Sequence, residues 1–326
     1  KYAKDVARHV IAAESDFGAG HIYGFDSSAR DAQPEALQQE QVFKEGQQVL
    51  MRRDGLGPQQ ALNLGADAWT RGMLVVDNAR LGDLIDELGA DVVAYNEHRQ
   101  NLQHKDNRNG WNQLFRGGEA DIRSVVAHNV HEADRIGRTQ EGGTGLLLFG
   151  PITEYLDVPA SEKDASGLGR WTTMLLKGDT GVQTRIICGY NPCQSNRQDN
   201  STSYAQQRRH QIWHFQDHIT CPRVKFREDL GKLLKEWRTA GDRLVVCLDA
   251  NKNIYTQALG KMLTNPEGLG MIEAVGGYTG KKIGPTYFRG QLPIDGIWTT
   301  SEVMVANVCI MPAGYGIGDH RLFIVD

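Results

Sequence analysis

At 326 residues, with 40% hydrophobic and 23% charged residues, the chain is long enough to bury a sizeable core, and its composition excludes the disordered and fibrous classes. A formal net charge of −4 excludes a protein that holds nucleic acid by bulk positive charge, while leaving room for a local basic groove or an acidic cation site. No apolar run approaches the roughly 20 residues that span a bilayer, and Lys1-Tyr2-Ala3-Lys4-Asp5 is not the start of a signal peptide. A soluble, intracellular protein with no membrane partner is expected.

Residues 1–58 are polar and rich in Gln and read as a helical leader or linker. The punctuation Gly55-Leu56-Gly57-Pro58 ends it, so the main domain is expected over 59–326. The absence of an initial Met and the strand-like ending suggest a processed chain or a piece of a longer one. Ala61-Leu62-Asn63-Leu64-Gly65 is expected as a short strand. Leu81, Leu84, Ile85 and Leu88 recur at the spacing of one helix face, with Asp77 or Asn78 to cap the start and Gly89 to end it.

A buried strand follows over 91–97, carrying Glu97 at its carboxyl end. The stretch 98–143 reads as polar and ends in Gly142-Gly143-Thr144-Gly145, read as a turn before the apolar run 146–149. Runs 171–176 and 184–190, separated by a Gly- and Asp-bearing turn, predict an antiparallel hairpin ending on Tyr190-Asn191-Pro192. From 204 to 238 the pattern is helical, broken at Cys221-Pro222, with Leu230, Leu233, Leu234 and Trp237 at core-facing spacing. Strands are then expected over 243–251, 293–300, 303–310 and 322–325, the first bearing Asp249 and Asn251, the second Asp295, and the last preceded by Asp319-His320.

The five cysteines form a sparse, odd-numbered set, which is the usage of a reducing compartment. Between Cys193 and Cys221 lie His210, His214 and His218, at i, i+4, i+8 of the expected helix. A structural zinc site, a bridge between the two cysteines and a solvated histidine face all remain open.

Glu97, Asp249 with Asn251, Asp295, and Asp319 with His320 each stand at the end of an apolar run. A carboxylate beside a core is costly unless it is paired or binds a cation. A set of oxygen donors suits Mg²⁺ or Mn²⁺ rather than zinc, which points to metal-assisted phosphoryl chemistry. Because successive side chains of an extended chain point to opposite sides, Asp319 is poorly placed to orient the ring of His320. Asp295, on another strand, is the natural candidate for that task.

The ordered set Leu62-Asn63-Leu64-Gly65, Tyr95-Asn96-Glu97, Gly169-Arg170-Trp171, Tyr190-Asn191-Pro192, Leu248-Asp249-Ala250-Asn251, Ile294-Asp295-Gly296-Ile297 and Gly318-Asp319-His320-Arg321 resembles the endonuclease/exonuclease/phosphatase superfamily. The resemblance runs from Asn63 to Asp326. Cys193 stands where the abasic-site enzymes of that family carry Asn, and His98-Arg99 after Glu97 is similar to retroelement endonuclease domains. The resemblance implies a four-layer α/β sandwich, two mixed, largely antiparallel sheets packed face to face with helices outside. It implies Mg²⁺ (or Mn²⁺) held by Glu97, Asp319 and Asn63, and catalysis by His320, Asp249, Asn251, Asp295 and Tyr190. Arg170 and Asn191 are expected to contact phosphate or substrate. The expected activity is cleavage of nucleic acid, DNA above all, as in a DNA endonuclease or the endonuclease domain of a retroelement protein. Rival readings are a phosphatase or phosphodiesterase on a small molecule or lipid headgroup, and an inactive binding module.

Overall fold

The computed structural model of the chain describes residues 90–105, 107, 122–131, 139–178, 181–196, 201–312 and 319–326. The expected leader, the strand at 61–65 with Asn63, and the helix at 78–88 lie outside the described residues. One compact unit is Ala90–Ala306; the described part of a second comprises 307–312 and 319–326.

In the first unit a three-stranded sheet has the order β1 (Val92–Asn96), β3 (Thr144–Phe149), β2 (Ile122–Ala127), all antiparallel. A six-stranded sheet runs β4 (Leu156–Asp157), β5 (Trp171–Lys177), β6 (Gln183–Tyr190), β7 (Arg243–Asp249), β9 (Asp295–Thr299), β8 (Ile272–Glu273). Its pairings are antiparallel except that of β6 with β7, which is parallel. The expected hairpin is β5–β6.

The two sheets face each other through an apolar cluster of Leu146 and Leu148 from β3, Met174 from β5, and Ile186 and Cys188 from β6. Each fully buried aliphatic side chain of this kind contributes about 1.5–3 kcal/mol. On its other face the six-stranded sheet is covered by helix α2 (Pro222–Thr239), which buries Phe226, Leu230, Leu234 and Trp237. Pro222 opens that helix at its first turn, where a missing N–H costs nothing. Helix α1 (Ser203–Phe215) precedes it, capped by the side chain of Thr202, which accepts from Ala205 N. Two short helices, α3 (Ala258–Thr264) and α4 (Ala274–Thr279), complete the unit. This is an α/β sandwich of mixed sheets with helices, as expected. Among the described residues no helix is long and apolar enough to cross a membrane.

Three expectations are corrected. The polar stretch 98–143 contains strand β2, whose IRSVVA sequence buries little besides Val126 and Ala127. Helix α1 stops at Gln216, a left-handed cap with φ 54°, so His218 is not on the helix with His210 and His214. In the second unit the strand expected over 303–310 is confined to β10 (Val308–Ile310), paired antiparallel with β11 (Phe323–Val325), around Cys309, Met311, Leu322 and Ile324.

Candidate active site

Register builds the site. Tyr190, the last residue of β6, stands opposite Asp249, the last of β7, and Asp249 stands opposite Asp295, the first of β9. Residues directly opposite in neighbouring strands point their side chains to one face. Tyr190 shares strand parity with Ile186 and Cys188, which lie in the cluster between the sheets, so the row Tyr190, Asp249, Asp295 continues that inner face beyond the edge of the apolar core.

Glu97 follows β1 on the facing sheet. Its backbone takes φ 53°, and that of Arg99 φ 51°, a left-handed conformation that side-chain-bearing residues avoid. The turn is held by Gly143 O and Gly142 O, which accept from Glu97 N at 2.8 Å and Arg99 N at 3.0 Å. The Glu97 carboxylate lies close to the Tyr190 hydroxyl. Burial first, then the charges of Glu97 and Asp249, push the Tyr190 phenol well above its usual value of 10.0. Both carboxylates are therefore close enough to act on one hydroxyl that is only 4% exposed.

Asp249 is itself 4% exposed. Its two carboxylate oxygens accept from Asn251 N at 2.9 Å and from Asn251 Nδ2 at 3.0 Å. Asn251 adopts φ 49°, which Asn tolerates better than most residues. Its Nδ2 also donates to Asn191 O at 2.9 Å. Both amide N–H groups are thus committed, and Asn251 orients Asp249 rather than offering a free donor to phosphate. Asn191 Nδ2 donates to Ala250 O at 2.8 Å, while its buried Oδ1 has no partner among the described residues.

Sequence reasoning overlooked Arg223. This second residue of α2 donates to Pro192 O at 2.6 Å and Ala250 O at 2.9 Å, the carbonyls just beyond β6 and β7. Burial lowers its pKa, against the charges of Cys193, Cys221, Asp249 and Tyr190. The available signal was Pro222-Arg223 itself, since a helix opening on Pro places the next side chain at the sheet end where its first turn packs.

Arg170 is not brought to this row. Its guanidinium binds Asp164 through Nε at 2.7 Å and Nη2 at 3.0 Å, and Asp229 through Nη1 at 2.9 Å, stacked 4.3 Å over Trp171. A side chain 4% exposed and held by two acids is a structural clamp. Asn63 lies outside the described residues. Asp319 and His320 belong to the second unit, just before β11. There His320 Nε2 is 3.9 Å from Asp319 Oδ1, too long for a hydrogen bond, in keeping with the expectation that Asp319 does not orient its neighbour.

Glu97 and Asp249 both act on the Tyr190 phenol, and their carboxylate oxygens are of the donor type that a hard divalent cation takes.

No protein-family model and no curated protein matches the chain. Solved structures do. A variant of the 3′ phosphatase NExo from Neisseria, bound to a product DNA hairpin, superposes with a TM-score of 0.51 at 10% identity, covering 76% of this chain and 92% of that one. An endonuclease/exonuclease/phosphatase family protein from Bacteroides thetaiotaomicron gives 0.50 at 13% identity, covering 80% and 89%. The fold of this chain is that of the endonuclease/exonuclease/phosphatase superfamily.

Proposed function

We propose that the chain is a phosphoester hydrolase, a Mg²⁺- or Mn²⁺-dependent nuclease that cleaves DNA internally. One observation carries this reading: the sheet register sets Tyr190, Asp249 and Asp295 in one row, with Glu97 close to the first of them. The fold and the DNA bound to the similar Neisseria phosphatase support it.

In this reading Glu97 holds the cation, with Asp319 and Asn63 as further ligands. The cation supplies neutralisation of the charge that builds on the phosphoryl oxygens. Asp249, fixed through both oxygens by Asn251, retains lone pairs to align a water and take its proton. Tyr190 keeps its proton and holds Glu97 in place. His320 donates to the phosphate. Arg223 brings positive charge beside Asp249 and Tyr190. A place in a retroelement protein fits His98-Arg99 after Glu97.

Incubation with supercoiled plasmid and Mg²⁺ tests the reading, with nicked circles expected. Glu97→Gln and His320→Ala should each slow nicking by on the order of 10²-fold or more while leaving the circular dichroism spectrum unchanged. Turnover of a phosphomonoester or inositol phosphate with intact plasmid would replace the DNA reading with a small-molecule one. Near-wild-type nicking by Glu97→Gln would sink the site as drawn.

A further inference from the structure

A second cluster of metal-binding chemistry lies on the first unit, and it shares no residue with the row of carboxylates. His131, His210 and His214 each offer one ligand nitrogen, and these three atoms lie within 4.8 Å of one another. The ring centroids are 4.1 Å apart for His131 and His210, 4.3 Å for His210 and His214, and 5.3 Å for His131 and His214. Two of the rings come from one face of the last turns of α1, four residues apart. The third arrives from the loop after β2, so its presence could not be read from helical spacing.

That loop is built to hold His131 where it stands. Asn129 Nδ2 donates to Gln206 Oε1 on α1 at 3.2 Å, Val130 N to Gly167 O at 2.9 Å, and His131 N to Asn129 Oδ1 at 3.0 Å. His131 Nε2 bonds Ser166 O at 2.8 Å. A carbonyl on that nitrogen fixes the tautomer and turns the other ring nitrogen into a ligand, which is the outer arrangement usual for metal-bound histidine. Gly167 beside it has φ 73°, and a Cβ there would come within 2.9 Å of the same Nε2, so the small residue keeps room for the ring.

His210 supplies the independent observation. Its side chain is buried, the residue only 7% exposed, and Nδ1 has no hydrogen-bond partner among the described residues. A buried imidazole nitrogen with no partner is costly. Here it sits between two other imidazoles, none of which brings a carboxylate to pair with. Nitrogen-only donors reject Mg²⁺ and suit the borderline transition cations.

We propose that His131, His210 and His214 form a three-histidine site for Zn²⁺, tying the end of α1 to the loop after β2, with the fourth position left to water. The inference does not depend on the phosphodiester reading. A tetrahedral zinc with Zn–N near 2.1 Å sets its nitrogens about 3.4 Å apart. Starting from separations within 4.8 Å, the side chains must close by about 1.4 Å at most, and His214 is exposed and able to turn.

The test is calorimetric titration of chelator-stripped full-length protein with zinc alone, followed by Co²⁺ substitution to read tetrahedral geometry from the visible spectrum. One equivalent is expected to bind to the wild-type chain with the visible bands of tetrahedral cobalt. Loss of an outer-sphere partner alone costs about 10- to 100-fold in affinity, so His214→Ala and His131→Ala, both exposed positions, should each weaken binding about 100-fold or more. Glu97→Gln should bind zinc as the wild type does. No zinc binding by the wild type overturns the proposal, as does binding that survives His214→Ala or His131→Ala or is lost in Glu97→Gln, which would put the zinc among the carboxylates instead. Plasmid nicking plays no part in this readout, so failure here and failure of the nuclease reading are told apart.

Discussion

Tyr190 carries two roles that a bare sequence does not separate. As a core aromatic it closes the end of the space between the sheets; through its hydroxyl it meets the carboxylate of Glu97. Burial holds its phenol well above 10.0, so it stays a donor through the range in which a nuclease would work. The consequence for stability has a definite sign. Above pH 10 the unfolded chain releases the Tyr190 proton while the folded chain keeps it, so the folded state loses relative stability as pH rises from 10. Tyr190→Phe removes that linkage. Urea midpoints measured from pH 8 upward should therefore fall less steeply for Tyr190→Phe than for wild type, and equal slopes would show that the hydroxyl is not held as described. The same residue-scale logic explains why Arg170 misled sequence reasoning. Its place between the strand-end stations suggests a phosphate contact, but its partners Asp164 and Asp229 lie 6 and 59 residues away, and a partner that distant leaves no trace in local spacing.

At the scale of elements, the strand ends were legible because a carboxylate or amide stands where an apolar run begins or stops: Asn96 and Asp249 close β1 and β7, and Asp295 opens β9. The order of strands was not legible, because β6 and β7 are brought together as parallel neighbours across two intervening helices. Strand β2 was missed because a third of its residues, Arg123 and Ser124, are polar and exposed, and His131 beyond it was consequently never set beside α1. The pair Gly142-Gly143 shows the limit most clearly: read as a turn before β3, it also supplies the carbonyls that hold Glu97 and Arg99 in left-handed turns. Gly143 has φ 93°, and a Cβ there would lie 2.4 Å from His98 Nε2. His98 cannot step aside easily, since it is 2% exposed and bonded through Nε2 to Ala127 O at 2.8 Å. Gly143→Ala should cost about 1–3 kcal/mol from backbone strain and overpacking together. It should also lower nicking more than its stability loss explains, because Glu97 hangs from that carbonyl. Unchanged melting and unchanged nicking would refute the arrangement.

For the whole molecule, the response to acid follows from where the histidines sit. Burial, against the bond to Ala127, lowers His98 to about 4, and the neighbouring His128 adds to the effect. Burial, then Lys163, lowers His128 to about 4 as well. Both rings titrate at 6.5 when free. Between about pH 6.5 and 4 the unfolded chain therefore binds protons that the folded chain refuses, so stability is present above 6.5 and is lost as pH falls through that window. For His98 alone the difference amounts to about 3 kcal/mol over the window. Carboxylates act lower down. Asp164, which burial would raise, is held below its usual 3.8 by Arg170, and its contribution disappears only below that value. The two groups thus separate on the pH axis. Urea midpoints taken every half unit from pH 7 to 4 should fall steadily across the histidine window. His98→Gln keeps a side-chain N–H for Ala127 O but cannot take up a proton, so it should flatten that fall, and His128→Ala should flatten it further. A wild-type midpoint that stays level from 6.5 to 4 would mean that these rings are not buried as neutral groups, and with them would go the packing of His98 under Gly143 that holds the Glu97 turn.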